Sequence, residues 1–281
     1  MTLQVDALVK DYTTRSGLRR TRLRAVDEVS FTLIPGRTLA LVGESGSGKS
    51  TIAKLLTRLE KPTAGSVTLT DRDGAKVPDR RYRNHVQMVF QDPFASLNPF
   101  HTIEHHLARP LRVHRAGGSV AELLEKVNLS PDMAARRPHE LSGGQRQRVA
   151  IARALAPGAS TVIADEPVSM LDVSIRLGVL RLLKKLQEDE ELAILYITHD
   201  LATARHFSDD IMVLYKGRVV ERGPADEVIL RPRHPYTRLL AEAAPDPDAR
   251  GRSMESTARP GEGYDTSYDH YEARWLDRRA G

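Results

Sequence analysis

Short apolar stretches of strand length recur along this chain and alternate with segments of helical periodicity. Val29, Phe31 and Leu33 alternate with polar residues, and the apolar run 38–42 follows after a turn. This pattern predicts two consecutive strands. Further apolar runs predict strands at 67–69, 86–90, 161–164 and 193–197. Apolar residues at helical spacing predict helices at 50–59, 102–107, 120–127, 144–155 and 175–187.

The order of these elements indicates an α/β fold. A strand, a glycine-rich turn and a helix come first, and a mostly helical stretch at about 94–155 precedes the return of the strands. This order predicts a parallel sheet with an α-helical insert. Past about residue 243 the chain is rich in proline, glycine, serine and charge, which predicts disorder up to about residue 265. The last stretch is predicted to be a frayed tail or, alternatively, a short docking helix.

Composition narrows the class of protein. The 281 residues include no cysteine, which excludes disulfides, cysteine nucleophiles and thiolate-bound metals and fits the cytosol. No run approaches the roughly 18 apolar residues of a membrane span, and residues 1–10 do not resemble a secretory signal. The net charge of +5 permits contact with nucleic acid or an acidic surface without requiring it. The basic stretch at Arg15–Arg24 is predicted to be a solvated loop.

A phosphate-binding loop follows the predicted strand 38–42. The residues Gly43-Glu44-Ser45-Gly46-Ser47-Gly48-Lys49-Ser50 fit the pattern G-x-x-x-x-G-K-[ST] and open a predicted helix. Glycines let backbone N–H groups turn toward a phosphate, and the helix N-terminus adds positive potential. Lys49 can reach the β- and γ-phosphates, and the Ser50 hydroxyl can ligate Mg²⁺. The segment therefore predicts binding of a nucleoside triphosphate.

Two acids end the predicted strand 161–164. Asp165 is placed to hold Mg²⁺ through water, and Glu166 is placed to orient and deprotonate an attacking water. Strands often end in acids, so this pair gains its meaning from the phosphate-binding loop. Together the two motifs predict hydrolysis of the nucleotide.

A second helix start with exposed glycines lies between these motifs. Leu141-Ser142-Gly143-Gly144-Gln145 has Ser142 as an N-cap, and a second anion-binding helix end is best explained by the nucleotide of another subunit. These residues resemble the signature of the ATP-binding cassette (ABC) family. The family's other marks follow in order: Gln91 of the glutamine loop, Ser169-Met170-Leu171-Asp172 of the D-loop, and the switch histidine His199. Tyr12 stands where the family places an aromatic residue that stacks on adenine.

The resemblance covers roughly residues 3–242 and implies a P-loop NTPase fold. Its parts are a RecA-like parallel sheet, an antiparallel β subdomain and a helical subdomain at about 94–156. The implied domains are a nucleotide-binding domain at 1–242, a C-terminal extension at 231–250 and a polar, flexible tail at 251–281. Two cassettes are expected to pair head to tail with two ATP molecules between them.

The resemblance also implies the site residues. The implied catalytic residues are Lys49, Gln91, Glu166 and His199, and the implied metal-binding residues are Ser50, Gln91 and Asp165. The implied nucleotide-binding residues are Tyr12, Gly43, Glu44, Ser45, Gly46, Ser47, Gly48, Lys49, Ser50, Thr51, Ser142, Gly143, Gly144 and Gln145. ATP and Mg²⁺ are the expected ligands. Tyr12 could instead be a packed strand residue, and His199 a structural histidine.

Two further stretches are similar to the ATPases of oligopeptide and dipeptide importers. One is Phe90-Gln91-Asp92-Pro93-Phe94-Ala95-Ser96-Leu97-Asn98-Pro99, and the other is His234-Pro235-Tyr236-Thr237-Arg238-Leu239-Leu240. This likeness implies import of peptides or similar solutes such as nickel complexes, at the cytoplasmic face of the membrane. The implied partners are two membrane-spanning permease subunits, a second cassette, identical or different, and an extracytoplasmic solute-binding protein. The iron–sulfur cysteines that many such proteins carry are absent from this sequence.

Two other functions remain open at this point. The ATPase subunit of the carbon–phosphorus lyase complex resembles these importers and would have soluble enzyme partners. The second is a nucleic-acid function, as in the cassettes of DNA repair or translation factors. Those proteins generally carry two cassettes on one chain or long coiled-coil inserts. This chain has one cassette and neither insert, so no nucleic-acid partner is expected.

Overall fold

The computed structural model describes residues 1–16 and 19–243. The tail predicted at 251–281 and the end of the extension predicted at 231–250 lie outside the described residues. The described strands are β1 (Thr2–Ser16), β2 (Arg19–Leu33), β3 (Thr38–Val42), β4 (Ala64–Thr70), β5 (Val86–Val89), β6 (Thr161–Asp165), β7 (Ala193–Thr198), β8 (Asp210–Tyr215) and β9 (Arg218–Pro224).

The strands form two sheets. The smaller sheet has the order β2-β1-β4 and is antiparallel. The larger has the order β5-β6-β7-β3-β8-β9, in which only β9 runs against its neighbour. The carboxyl ends of β5, β6, β7 and β3 therefore meet along one edge, where ligands bind in open parallel sheets.

The described helices are α1 (Lys49–Leu56), α2 (Asp79–His85), α3 (Pro93–Ser96), α4 (Ile103–His114), α5 (Val120–Lys126), α6 (Gly143–Leu155), α7 (Val173–Asp189), α8 (Leu201–Phe207), α9 (Ala225–Leu230) and α10 (Pro235–Ala243). Helices α1 to α8 lie in the connections between the parallel strands, and α9 and α10 follow β9. Between Pro93 and Leu155 every described element is helical, including two short 3-10 turns at Pro131–Ala135 and Pro138–Glu140. None of the helices within 1–16 and 19–243 is long and apolar enough to cross a membrane.

The parallel sheet is buried on both faces. Along β3, Ala40 and Val42 face one apolar cluster that includes α6 and α7, while Leu41 faces a second cluster. That second cluster includes Ile52 and Leu55 of α1 and the inner face of the antiparallel sheet. Burial on both faces explains why these strands are continuous apolar runs in the sequence. The predicted α/β class with a parallel sheet, an antiparallel sheet and a helical insert is confirmed.

The first 33 residues correct one prediction and add one strand. Of the stretch predicted to be a loop, Arg15–Ser16 lies in β1 and Arg19–Arg24 lies in β2, and the two strands pair as a long antiparallel hairpin. The pattern of apolar residues did not predict β1. The register of β1 shifts at three places, so its apolar residues do not alternate cleanly. Across the hairpin the Asp11 carboxylate accepts hydrogen bonds from Arg22 and Arg24, and the first of these is the main reason why the pKa of Asp11 is lowered. Arg22 and Arg24 of this stretch therefore pair with a residue of the opposite strand, which the local sequence does not reveal.

Candidate functional site

The phosphate loop (residues 43–50) connects β3 to α1 and is held tightly on both sides. A Cβ atom added to Gly43 would lie 2.2 Å from the Leu214 carbonyl oxygen at the end of β8. One added to Gly48, whose φ is 112°, would lie 2.3 Å from the Ala25 carbonyl oxygen. Both glycines therefore serve close backbone contact as well as the turn itself.

Lys49 is buried inside the phosphate loop. Its side chain Nζ donates hydrogen bonds to the carbonyl oxygens of Gly43 at 2.6 Å and Glu44 at 2.8 Å. Burial lowers the pKa of Lys49, while the carboxylates of Glu166 and Asp165 act in the opposite direction. A phosphate oxygen is a stronger acceptor for an ammonium group than a peptide carbonyl. The loop therefore holds a cation where a phosphate could take over its hydrogen bonds.

Two features show that the loop fits a polyphosphate and its metal. The Ser47 hydroxyl is buried without a hydrogen-bond partner among the described residues, which a phosphate oxygen would supply. Asp165, at the end of β6, is 9% exposed; burial raises its pKa, and a hydrogen bond with the Ser50 hydroxyl counteracts that rise. A carboxylate and a hydroxyl side by side are the oxygen ligands that Mg²⁺ prefers.

Glu166 follows Asp165 and receives a hydrogen bond on each carboxylate oxygen. Gln91 Nε2 donates to one oxygen at 3.1 Å, and His199 Nδ1 lies 3.2 Å from the other. Gln91 follows β5, Glu166 follows β6 and His199 follows β7, so the sheet order places all three at one edge. Glu166 itself has a φ of 46°, and its N–H donates to the Ile197 carbonyl at 2.9 Å. The carboxylate is therefore oriented from both sides.

Tyr12 lies beside the start of α1. Its hydroxyl donates to Glu60 Oε2 at 2.8 Å and also hydrogen-bonds the Thr51 side chain. Burial raises the pKa of Tyr12. The Lys10 ammonium lies 5.0 Å from the centre of its ring. The structure thus brings Tyr12 and Thr51 together at the helix that begins in the phosphate loop, and stacking on adenine stays a prediction.

The signature segment (residues 141–145) opens α6 with a closed cap. Gln145 N donates to the Ser142 hydroxyl at 3.3 Å, and Ser142 N donates to Gln145 Oε1 at 2.9 Å. Ser142 is exposed. Gly144 is buried, and an added Cβ would lie 2.5 Å from Ile175 Cγ2 of α7. This glycine thus has a packing reason that the sequence did not reveal.

Comparison with known proteins decides the family. A sequence model described as ABC transporter matches residues 26–169, more than half of the chain. The chain belongs to the ABC transporter family. A second model, of the C-terminal region of oligopeptide/dipeptide transporters, matches residues 220–270. ATP-binding cassettes of this family hydrolyse ATP, and this chain is such a cassette.

Relatives and solved structures agree with this assignment. A probable peptide ABC transporter ATP-binding protein of Sinorhizobium fredii is 47% identical over 89% of this chain and 74% of its own length. The di/tripeptide transport ATP-binding protein DppF of Pseudomonas aeruginosa is 46% identical over 85% and 77%. A dimeric post-hydrolysis state of the ATP-binding cassette MJ0796 bound to ADP and Pi is 31% identical, with a TM-score of 0.67 over 79% of this chain and 98% of that one.

One residue of this ABC cassette was not predicted to belong to the nucleotide site. The Tyr236 hydroxyl of α10 accepts a hydrogen bond from the Glu44 backbone N–H in the phosphate loop at 3.0 Å. Sequence reasoning noticed Tyr236 only as part of a C-terminal motif. The two residues are 192 positions apart, and no local pattern in the sequence signals that they meet.

Proposed function

We propose that this chain is the ATP-hydrolysing motor subunit of an importer for dipeptides, oligopeptides or similar solutes. One observation carries the proposal: the phosphate loop and the triad of Gln91, Glu166 and His199 occur in the same chain as a match to the C-terminal region of oligopeptide/dipeptide transporters. Relatives named as peptide transport ATP-binding proteins, 46% to 47% identical, support the choice of solute.

The geometry supports a division of labour among the site residues. Lys49 and the N–H groups of the phosphate loop between Gly43 and Ser50 bind the β- and γ-phosphates, except the Glu44 N–H, which is bonded to Tyr236. Tyr12 and Thr51 contact the nucleoside side. Glu166 accepts a proton from the attacking water, while Gln91 and His199 hold its carboxylate in place. Ser50, Asp165 and Gln91 would hold Mg²⁺, which when bound neutralises charge on the phosphates. Such catalysis is mainly positioning and electrostatic stabilisation.

The signature segment supplies the other half of a site. Ser142 is exposed and caps α6, so the N–H groups at this helix start can meet an anion from outside the chain. Ser142, Gly143, Gly144 and Gln145 complete the nucleotide site of a second cassette. The dimeric form of the MJ0796 cassette supports this arrangement.

An exposed apolar surface next to Gln91 is the contact for the membrane subunits. The side chains of Phe94 and Phe100 are 55% and 83% exposed, and α3 begins two residues after Gln91. One of the two permease subunits binds this surface, and the contact keeps the chain at the cytoplasmic face of the membrane. A solute-binding protein delivers the cargo on the other side. In the proposed domain organisation, the cassette spans 1–242 and its helical subdomain spans about 94–156. The extension at 231–250 overlaps the end of the cassette, and the tail at 251–281 follows.

A pull-down of the tagged full chain with Glu166→Gln tests this function. The variant is captured from its native cells in mild detergent with ATP present, and Lys49→Ala serves as the control that cannot hold ATP. Two multispanning proteins and a second cassette, recovered with Glu166→Gln in larger amounts than with Lys49→Ala, are the expected partners. Recovery of soluble enzyme subunits instead would contradict transport and favour the lyase accessory.

A further inference from the structure

The segment before α10 is anchored to β9 through one carboxylate. Glu221 Oε1 accepts a hydrogen bond from Arg233 N at 2.8 Å, and Oε2 accepts one from His234 N at 3.0 Å. His234 Nδ1 in turn accepts from Tyr236 N at 3.2 Å and so caps the first turn. Pro235 occupies the first helical position, where its missing N–H costs nothing. The start of α10, and with it the direction of the Tyr236 side chain, is therefore closely defined.

Tyr236 reaches the phosphate loop from this anchored helix. It is 4% exposed, and its ring lies 4.3 Å from the ring of Tyr215 at the end of β8, tilted by 39°. The hydroxyl at the far end accepts the Glu44 N–H at 3.0 Å. The aromatic ring is thus a rigid spacer between the C-terminal segment and the phosphate loop.

The peptide groups of Glu44 connect this spacer to the nucleotide-binding lysine. Tyr236 holds the Glu44 N–H, and Lys49 Nζ donates to the Glu44 carbonyl oxygen. When Lys49 turns to a phosphate, it gives up that carbonyl, whereas the contact with Tyr236 does not involve any atom that binds phosphate. The tyrosine can therefore hold the loop in shape both before and after the nucleotide enters.

From this geometry we infer that Tyr236 is a positioning residue for ATP: its hydroxyl preorganises the phosphate loop and links the C-terminal extension to the nucleotide site. The inference rests on the ATP-hydrolysing function proposed above. A preformed loop spends less binding energy on ordering itself, so the contact raises affinity for the nucleotide. It acts before the chemical step, so it leaves the turnover of bound ATP nearly unchanged.

Tyr236→Phe in the full chain tests the inference, because it keeps the ring against Tyr215 and removes only the hydroxyl. The Kd and KM for ATP should rise about two- to tenfold, the range expected for one lost hydrogen bond, while kcat changes by less than about twofold. Tyr196→Phe is the matched control, since Tyr196 is buried and its hydroxyl bonds Thr203 instead of the loop. That variant should keep the ATP affinity of the parent chain.

Measurements on the same preparations separate positioning from general stabilisation. Thermal melting without nucleotide is recorded for both phenylalanine variants, and a structural role alone would lower the melting temperature and leave the ATP affinity of the folded chain unchanged. An unchanged affinity in Tyr236→Phe, or an equal loss in Tyr196→Phe, would overturn the inference. If Tyr236→Phe fails to fold, Glu221→Gln replaces it, because the amide keeps one acceptor oxygen for the anchor of α10. A smaller rise in the KM for ATP is then expected. No rise would overturn the inference.

The parent chain and Lys49→Ala distinguish this inference from the function on which it rests. Hydrolysis by the parent that is lost in Lys49→Ala supports the ATPase function whatever Tyr236→Phe does. A parent chain that neither binds nor hydrolyses ATP would contradict both.

Discussion

The phosphate loop and the signature segment, both at helix starts, differ in where their polar groups find partners. Lys49 is buried and bonds two carbonyls of its own loop, and Asp165 bonds Ser50 within the same chain. Ser142 is exposed, and within residues 1–16 and 19–243 its hydroxyl bonds the Gln145 N–H of its own cap. One chain therefore carries a nearly complete binding half and a second half that faces outward. This difference supports a site shared between two cassettes.

The largest expected effect comes from removing the proposed general base next to the phosphate loop. Glu166→Gln keeps the size of the side chain but cannot accept a proton, so hydrolysis should fall about 10²- to 10⁴-fold, as is typical for loss of a general base. Binding of ATP should persist, because Lys49 and the loop are intact. Phosphate release and equilibrium ATP binding measure the two effects.

Glu190→Gln is the matched control for that change. Glu190 bonds Lys126 on the surface, and exposed ion pairs of this kind contribute little. The control should hydrolyse ATP like the parent chain. Parental hydrolysis in Glu166→Gln would remove the proposed base from the mechanism.

A charge placed on the signature side should separate binding from hydrolysis. Aspartate caps a helix as well as serine does, so Ser142→Asp should leave the fold and ATP binding by the chain itself intact. Its negative charge would face the nucleotide of the second cassette, and hydrolysis should fall about 100-fold, comparable to loss of a key electrostatic contact. Association of two cassettes is measured by light scattering in the Glu166→Gln variant, which binds ATP without hydrolysing it. Adding Ser142→Asp to that variant should abolish the association that ATP promotes.

Ser142→Asn sharpens this test, since asparagine caps equally well and carries no charge. It should retain far more hydrolysis and association than Ser142→Asp. Equal behaviour of the two variants would argue against a nucleotide facing Ser142 from a second cassette.

The same contrast explains what the sequence could predict. Gln91 and His199 were identified by resemblance to the family, and Glu166 by its place after an apolar strand. Each follows a strand of the parallel sheet, and the strand order β5-β6-β7 brings the three together. The phosphate loop is likewise a local motif with a strand before it and a helix after it. The α/β class followed from the order of the apolar runs.

Contacts between distant segments were beyond local signals. The alternation in β1 is interrupted by register shifts, and Asp11 is neutralised by arginines of the next strand, so the hairpin resembled a charged loop. Tyr236 contacts the phosphate loop because Glu221 anchors the start of α10. Gly144 was assigned to anion binding alone, whereas its closeness to Ile175 follows from how α6 and α7 cross.

The smallest expected effect concerns stability. The carboxylate buried beside the phosphate loop lowers the free energy of unfolding, whereas the signature segment begins at an exposed serine. Burial raises the pKa of Asp165, so the folded chain binds a proton more readily than the unfolded chain. Stability therefore falls as pH rises from the ordinary pKa of aspartate through the raised one, and it stays lower above that range. Asp165→Asn removes this penalty and also removes the carboxylate that we propose as a magnesium ligand.

At neutral pH the nucleotide-free Asp165→Asn chain should melt about 1–3 °C higher than the parent, a shift that corresponds to less than about 1 kcal/mol in a domain of this size. The gain is small because Lys49 loses one nearby negative charge but keeps Glu166. Asp11→Asn is the opposite control: its arginine partners lower the pKa of Asp11, so that carboxylate stabilises the fold above its ordinary pKa and the variant should melt lower. A lower melting temperature in both variants would mean that Asp165 stabilises the empty site, and the energetic contrast between the two sides would then disappear.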